Sequence, residues 1–197
     1  MKKLILAVMF VLASVMVTMA GDTPLAKPEA LSDETIYATE KLSANYDTLL
    51  IKDFSTDGVE YSSVNDEEKE KILKMLPLLK SNIALTLEGE LKAKNVFKKI
   101  VTNAPASGKV AVLEGNFSEF YAGSRALKFW VGFGAGKAYI KFKGRLLDQA
   151  SGRELAKFED RETGYRGAMS MESFEDLFPH QAKSIGENLA KFLEKLY

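Results

Sequence analysis

The sequence has no cysteine, and it has one histidine, His180, and one tryptophan, Trp130. Without cysteine the chain cannot form disulfides, thiolate metal sites, a cysteine nucleophile or a lipid anchor on a lipobox cysteine, so we do not expect a lipoprotein. A single histidine excludes a histidine metal cluster, and a position beside Pro179 at a predicted helix start is typical of a surface or capping residue. The sequence therefore shows no cysteine- or histidine-based catalytic or metal site, and we predict no catalytic, cofactor-binding or metal-ligating residues and no cofactor.

An excess of positive charge is also missing. Lysine and arginine together number 27, as do aspartate and glutamate, which gives a formal net charge of zero. A protein that follows the phosphates of a nucleic acid carries a basic excess or a basic face on the scale of the domain. We therefore predict no nucleic-acid partner.

The amino terminus has the three-part order of a secretory signal. Two lysines precede an uncharged apolar run over 4–17, and the small residue Ala20 follows it. This order predicts a signal peptide over 1–20, cleaved between Ala20 and Gly21, and a periplasmic or secreted mature chain. The alternative is an uncleaved membrane anchor, which we disfavour because the run is shorter than the roughly 20 apolar residues of a spanning helix.

Composition divides the mature sequence into two parts. Residues 21–45 are polar, contain Pro24 and Pro28 and have only scattered apolar side chains, which predicts a flexible leader. Residues 46–197 are long enough to bury a core without disulfides, and we predict that they form a single domain.

Hydrophobic patterns predict the elements in the first half of this domain. A short apolar run over 48–54 predicts a strand covered on both faces. Asn65 or Asp66 opens a helix, which Pro77 should kink or divide near its middle. The side chains of its predicted buried stripe are Ile72, Met75, Leu76, Leu79, Ile83 and Leu87. Further strands are predicted over 96–101 and 109–120, the second with a bulge suggested by Gly115.

Strict alternation predicts an antiparallel hairpin in the second half. The first strand, from Ala138, directs Ile140, Phe142 and Leu146 to one side, and its partner directs Ala156 and Phe158 to the same side. Its outward basic residues, Lys141, Lys143 and Arg145, are interpreted as a solvated sheet face in preference to a phosphate or lipid-headgroup site. The chain ends in an amphipathic helix. These elements predict an α+β fold, a mostly antiparallel sheet packed by a long kinked helix and a C-terminal helix.

The stretch over 109–164 resembles the bacterial envelope family catalogued as domain of unknown function 4410. The motifs that carry the resemblance are Gly123-Ser124-Arg125-Ala126, then Val131-Gly132-Phe133-Gly134-Ala135-Gly136-Lys137-Ala138, then Leu147-Asp148 with Gly152, and at the first strand Tyr46-Asp47 and Ile51-Lys52-Asp53-Phe54. Members are commonly lipoproteins, and this sequence departs from them by lacking the lipobox cysteine. The resemblance implies a layout similar to the small α/β modules related to the amino-terminal domain of TolB. It implies no catalytic residues.

The glycines of that motif are interpreted as structural. A phosphate-binding loop would need a different spacing around Gly132, Gly134 and Gly136, and it would lead into a helix, whereas Gly136 leads into a predicted strand. Glycine is also the residue of choice where the backbone takes unusual angles or packs closely. We therefore predict no nucleotide site here.

The connection over 121–133 is unusually apolar for a loop between strands. One interpretation is that it completes the core, and the other is that it forms a contact patch for an envelope protein or for the membrane surface. The candidate interaction residues are Arg125, Lys128, Phe129, Trp130 and Phe133.

The sequence favours a non-catalytic envelope binding or assembly accessory protein. The alternative is an envelope hydrolase that uses carboxylates such as Glu114 and Asp160 in a cleft.

Overall fold

The computed structural model describes residues 23–123, 137–163 and 173–197. In these parts of the chain, seven strands form one sheet and three helices accompany it. The elements are β1 (Asp33–Ile36), α1 (Leu42–Asn45), β2 (Thr48–Ile51), β3 (Glu60–Ser62), α2 (Asp66–Ala93), β4 (Lys99–Thr102), β5 (Val110–Tyr121), β6 (Tyr139–Asp148), β7 (Glu154–Glu162) and α3 (Phe174–Leu196). The α+β class predicted from the sequence is confirmed.

The sheet is mixed, where the sequence predicted a mostly antiparallel one. Its order is β1-β7-β6-β5-β2-β4, and β3 pairs with the far end of β5. The pairs β1–β7, β6–β7 and β5–β6 are antiparallel, whereas β2–β4, β2–β5 and β3–β5 are parallel. The β2–β4 pair is parallel because the connection between them, which contains β3 and α2, returns the chain to the same end of the sheet.

One face of the sheet carries the main core. The two long helices α2 and α3 pack on each other and cover this face. The five largest fully buried side chains come from the sheet and from α3, and they are Phe117, Phe120, Phe142, Phe178 and Phe192. At Gly186 the helices approach so closely that a Cβ would lie 2.8 Å from the carbonyl oxygen of Ile83. No helix in the described parts of the chain is long and apolar enough to cross a membrane.

The helix α2 begins where the sequence predicted. The side chain of Asn65 accepts a hydrogen bond from the Glu68 N–H at 2.9 Å, and the Glu68 carboxylate accepts one from the Asn65 N–H at 3.0 Å, which forms a capping box. The sequence predicted that Pro77 would kink or divide this helix, and α2 continues through Pro77 without being divided. Buried side chains on both sides of Pro77, such as Ile72 and Leu79, hold the two halves against the core.

The leader predicted over 21–45 is corrected from Asp33 onward, since β1 and α1 belong to the folded domain. β1 pairs with β7, and Ile36 and Leu42 are buried. Glu34 is 3% exposed, and its carboxylate accepts hydrogen bonds at 2.8 Å from the N–H groups of Glu29, Ala30 and Leu31. These bonds satisfy a buried charge, so an acid can occupy an inward strand position that normally holds an apolar residue.

The hairpin phase predicted from the sequence is confirmed. Ile140, Phe142 and Leu146 on β6 are buried, as are Ala156 and Phe158 on β7. The bulge predicted at Gly115 lies elsewhere, between Phe117 and Glu119. This irregularity takes Ser118 out of register, and it explains how both Phe117 and Phe120 reach the core although an odd spacing separates them.

Candidate functional site

The face of the sheet opposite the long helices is the most structured polar surface in the described residues. Its central strand β6 directs Lys141, Lys143 and Arg145 outward, as the sequence predicted. Acidic side chains flank this basic row on both neighbouring strands. They are Glu114 and Glu119 on β5, and Glu154 and Glu159 on β7. β7 also directs Lys157 and Arg161 to this face, opposite Arg145 and Lys141, so the face combines an acidic β5, a basic β6 and a β7 of both signs.

Most of these charges are fixed by ion pairs. Glu114 bridges Lys52 at 2.7 Å and Arg145 at 2.8 Å. Glu154 contacts Lys157 at 2.9 Å and Arg145 at 3.7 Å, and on the other side Glu159 contacts Lys141 at 2.6 Å. Each such half-exposed pair contributes at most about 1 kcal/mol to stability, so the network does more to hold side chains in position than to hold the fold together.

The charge state of Glu114 is set by this network. The hydrogen bond from Lys52, with the further bond and charge of Arg145, holds the pKa of the Glu114 carboxyl below its usual value against the opposing effect of burial. A general acid at neutral pH needs the opposite, a raised pKa that keeps its proton. Glu114 is therefore suited to accepting hydrogen bonds as a permanent anion and unsuited to donating a proton.

A cleft of about 800 Å³ lies at the centre of this face. Its floor includes a cross-strand row in which Asn116, Lys143, Glu159 and Asp33 stand directly opposite one another on β5, β6, β7 and β1. The loop after β2 forms one wall, because the Asn116 amide donates to the Ser55 Oγ at 2.9 Å and to the Asp57 carbonyl at 3.1 Å. The row spans three strand spacings, or about 14 Å, which suits an extended polar ligand surface better than a small molecule.

Two members of this row lack a charged partner. Among the described residues, neither the Lys143 ammonium nor the Asp33 carboxylate has an ion pair or a side-chain hydrogen bond, and both side chains are exposed. Unpaired charges between fixed pairs are the groups that remain free to bind a partner.

One end of the same face is aromatic. The rings of Tyr121 and Tyr139 stack with centroids 4.9 Å apart, and the Arg161 guanidinium lies 5.2 Å from the Tyr139 ring centre. Burial, helped by a hydrogen bond to Glu119, raises the pKa of the Tyr139 hydroxyl. The two stacked rings add an aromatic edge to a charged surface.

The carboxylates that the sequence singled out do not converge. Glu114 lines the cleft, whereas Asp160 stands opposite Phe142, on the face that the helices cover, and accepts hydrogen bonds from Ser32. Directly opposed residues project to the same side of a sheet, so Glu114 and Asp160 lie on different sides. Among the described residues, no group of three or more histidine, aspartate or glutamate side chains could hold a metal ion.

The other predicted sites fall outside the described residues. These are the interaction candidates Arg125, Lys128, Phe129, Trp130 and Phe133, the glycines Gly132, Gly134 and Gly136, and the signal peptide over 1–20. Sequence reasoning missed Asp33 and Asn116 as parts of one row. Asn116 could have been noticed because it follows Gly115 in a predicted strand. Asp33 could not, because it lay in the segment interpreted as a leader.

Comparison with known proteins gives a family and distant structural neighbours. The family model described as Domain of unknown function (DUF4410) matches residues 49–168. No curated protein matches the sequence. The PelC dodecamer from Paraburkholderia phytofirmans is 15% identical, with 81% of this chain and 96% of that chain covered and a TM-score of 0.43. Protein XCC0632 from Xanthomonas campestris, of the family model DUF330, is 11% identical, with 73% and 84% covered and a TM-score of 0.40.

Proposed function

The chain belongs to the domain of unknown function 4410 family, and we propose that it is an exported, non-catalytic binding or assembly accessory protein of the cell envelope. The observation that carries the binding role is the open face of the sheet. Helices bury one face, while the other presents ion-paired charges of both signs around a cleft. A surface of this kind recognises a partner by complementary charge and discourages wrong partners by repulsion.

The partner that best fits this face is another envelope protein. A nucleic acid would meet the four outward glutamates of this face beside its basic side chains, and like charges facing each other are destabilising. A protein surface can supply both signs of charge at the spacing of the strands. Contact with a membrane surface, which the sequence also allowed for the segment over 121–133, is less favoured here for the same reason as a nucleic acid, since anionic headgroups repel the same glutamates.

The carboxylate hydrolase is disfavoured as an alternative. Its two candidate acids lie on different sides of the sheet, and the Glu114 carboxyl has a lowered pKa. General acid–base chemistry needs both groups within reach of one substrate and at least one of them protonated at working pH.

Export is the part of the proposal that rests on the amino-terminal sequence. We expect the chain recovered from the periplasm to begin at or near Gly21, because the charged, apolar and small-residue regions stand in the order that signal peptidase recognises. Intact-mass measurement on periplasmic material checks this. A full-length chain that remains in the membrane fraction would support an anchor in place of a cleaved signal.

The binding face is tested by reversing its two unpaired charges. Lys143→Glu and Asp33→Lys break no ion pair or side-chain hydrogen bond among the described residues, so each should fold normally. We expect each variant to bind the envelope protein that the wild-type chain retains in a pull-down at least about tenfold more weakly. Reversing a charge that the bound partner buries typically costs more than about 1.4 kcal/mol of binding free energy. The matched control is Lys183→Glu, an exposed lysine on α3. Equal retention by all four proteins would contradict a role for this face.

A further inference from the structure

The described residues include a second surface, on the outer side of α2, that the open sheet face does not use. Four large apolar side chains are strongly exposed in these parts of the chain, and three of them are leucines of α2: Leu73 at 45%, Leu78 at 50% and Leu85 at 66%. Exposed apolar residues scattered singly need no explanation, but a group on one helix is typical of a protein contact.

A groove of about 630 Å³ runs beside these leucines, between α2 and the edge of the sheet. Apolar and small side chains of α2, such as Pro77, Ala84 and Leu85, line one wall, and Thr102 at the end of β4 lines the other. β4 pairs only with β2 among the described strands, so its other edge is open. An open edge beside an apolar groove is a surface that proteins usually cover.

The charges in the groove indicate what covers it. Lys80 is half-buried there and has no ion pair in the described parts of the chain, so its ammonium group is available to a partner's anion. The Asp53 carboxylate lines the same groove and accepts a hydrogen bond from the Asn103 amide at 2.7 Å. Glu88 lines the same groove, with Lys92 at 2.5 Å. Lys80 and Glu88 stand four positions on either side of Ala84, so each lies about 6 Å from it along the helix axis.

This spacing is self-complementary. If two α2 helices cross antiparallel with a two-fold axis at Ala84, Lys80 of one copy comes within ion-pair reach of Glu88 in the other, and the same pair forms a second time by symmetry. The small side chains of Ser81 and Ala84 allow the helices to approach closely at the centre, and Leu85 then packs across them. This arrangement pairs both copies of Lys80, and of the three exposed leucines only Leu85 lies next to the crossing point. Symmetry about Ala84 sets Leu78 opposite Glu90, and Leu73 beyond the end of the partner helix.

We propose that the outer face of α2 is a homodimer interface in which a second copy of this chain occupies the groove. The interface is isologous, with α2 against α2 and the two Lys80–Glu88 pairs flanking Ala84. The groove meets the cleft of the charged sheet face at Asp53, the one residue that lines both. The dimer does not depend on the binding role proposed above.

The test is a charge exchange, measured by sedimentation equilibrium or by light scattering over a concentration series. The wild-type chain is expected to be a dimer. Lys80→Glu places two acids together at each pair and Glu88→Lys places two lysines together, so each single variant should weaken dimerisation at least about tenfold, or 1.4 kcal/mol. The double variant restores opposite charges at both pairs and should dimerise like the wild type. An equimolar mixture of the two single variants should form heterodimers.

Controls separate association from folding. Lys183→Glu on α3 changes charge by the same amount away from the groove and should leave the dimer intact. Melting temperatures from circular dichroism should show that both single variants fold, and Leu85→Ser, at a position already 66% exposed, should weaken the dimer without lowering stability. A wild-type chain that stays monomeric up to about 100 µM, far above the Kd of a stable dimer, overturns the proposal. So does a double variant no more dimeric than the single ones, or a wild-type assembly larger than a dimer.

Discussion

Replacing Gly144 by alanine is expected to destabilise the domain by about 3 kcal/mol, the upper end of the usual cost of overpacking. Gly144 stands directly opposite Gly115 in the β5–β6 ladder, on the side of the sheet that faces the helices. A Cβ on Gly144 would lie 2.4 Å from the backbone oxygen of Glu114 and 2.4 Å from the ring of Phe158. The ring could turn aside only by losing its own packing, and the backbone oxygen is held by the sheet.

Gly89 provides the matched control for this prediction. It lies near the C-terminal end of α2, where an added Cβ would meet nothing within 4 Å. Gly89→Ala should therefore stabilise the domain, by about 0.5 to 1 kcal/mol, because alanine has the higher helix propensity. Urea unfolding of the two variants measures both changes. If Gly144→Ala were as well tolerated as Gly89→Ala, the close packing of Phe158 on the sheet would be incorrect.

The glycine pair shows where sequence reasoning ends. A glycine within a strand pattern signals a bulge or a close approach, and the sequence was interpreted with the first meaning at Gly115. In the structure Gly115 marks a close approach, since a Cβ there would lie 2.0 Å from the Phe54 ring. Which meaning applies depends on the cross-strand register and on rings that come from β7 and from the loop after β2. Those are tertiary facts that no local pattern contains.

Local patterns were sufficient where one face of an element is apolar. The alternation in β6 and β7 predicted which side chains are buried, and the capping residues of α2 predicted its start. They failed at β1, because Glu34 occupies a buried position that would otherwise have shown the alternation. The parallel half of the sheet was missed for a different reason. The strand, helix, strand order of β2, α2 and β4 does indicate a crossover, but the stronger hairpin pattern of β6 and β7 dominated the interpretation.

The candidate site was only partly readable for a related reason. The basic row of β6 follows from alternation alone, and it was interpreted as a solvated face. The acidic side chains that pair with this row from β5 and β7, and the unpaired Lys143 between them, appear only when the three strands are set in register. A charge pattern across strands depends on the register of the sheet, so it cannot be read from the order of the residues along the chain.

The same β6 strand gives the last prediction, which separates the fold from the binding face at two adjacent residues. Phe142 is fully buried, with its ring centre 6.1 Å from that of Phe54 and 6.4 Å from that of Phe158. Phe142→Ala should therefore lower the free energy of unfolding by about 3 to 5 kcal/mol, through lost burial and the cavity left behind. Lys143→Ala removes an exposed side chain that has no ion-pair partner, and it should change the free energy of unfolding by less than about 0.5 kcal/mol.

Phe158→Ala extends the comparison to the partner strand. Its ring covers Gly144 and lies 5.4 Å from the Phe192 ring of α3, so we expect a loss similar to that at Phe142, about 3 to 5 kcal/mol. Chemical unfolding of the three variants tests this, and small, equal effects would contradict the strand phase. If the large losses fall on the two phenylalanines alone, Lys143 can be varied without cost to the fold, because consecutive strand residues face opposite sides of the sheet. A loss of partner binding in Lys143→Glu would then report on the surface itself.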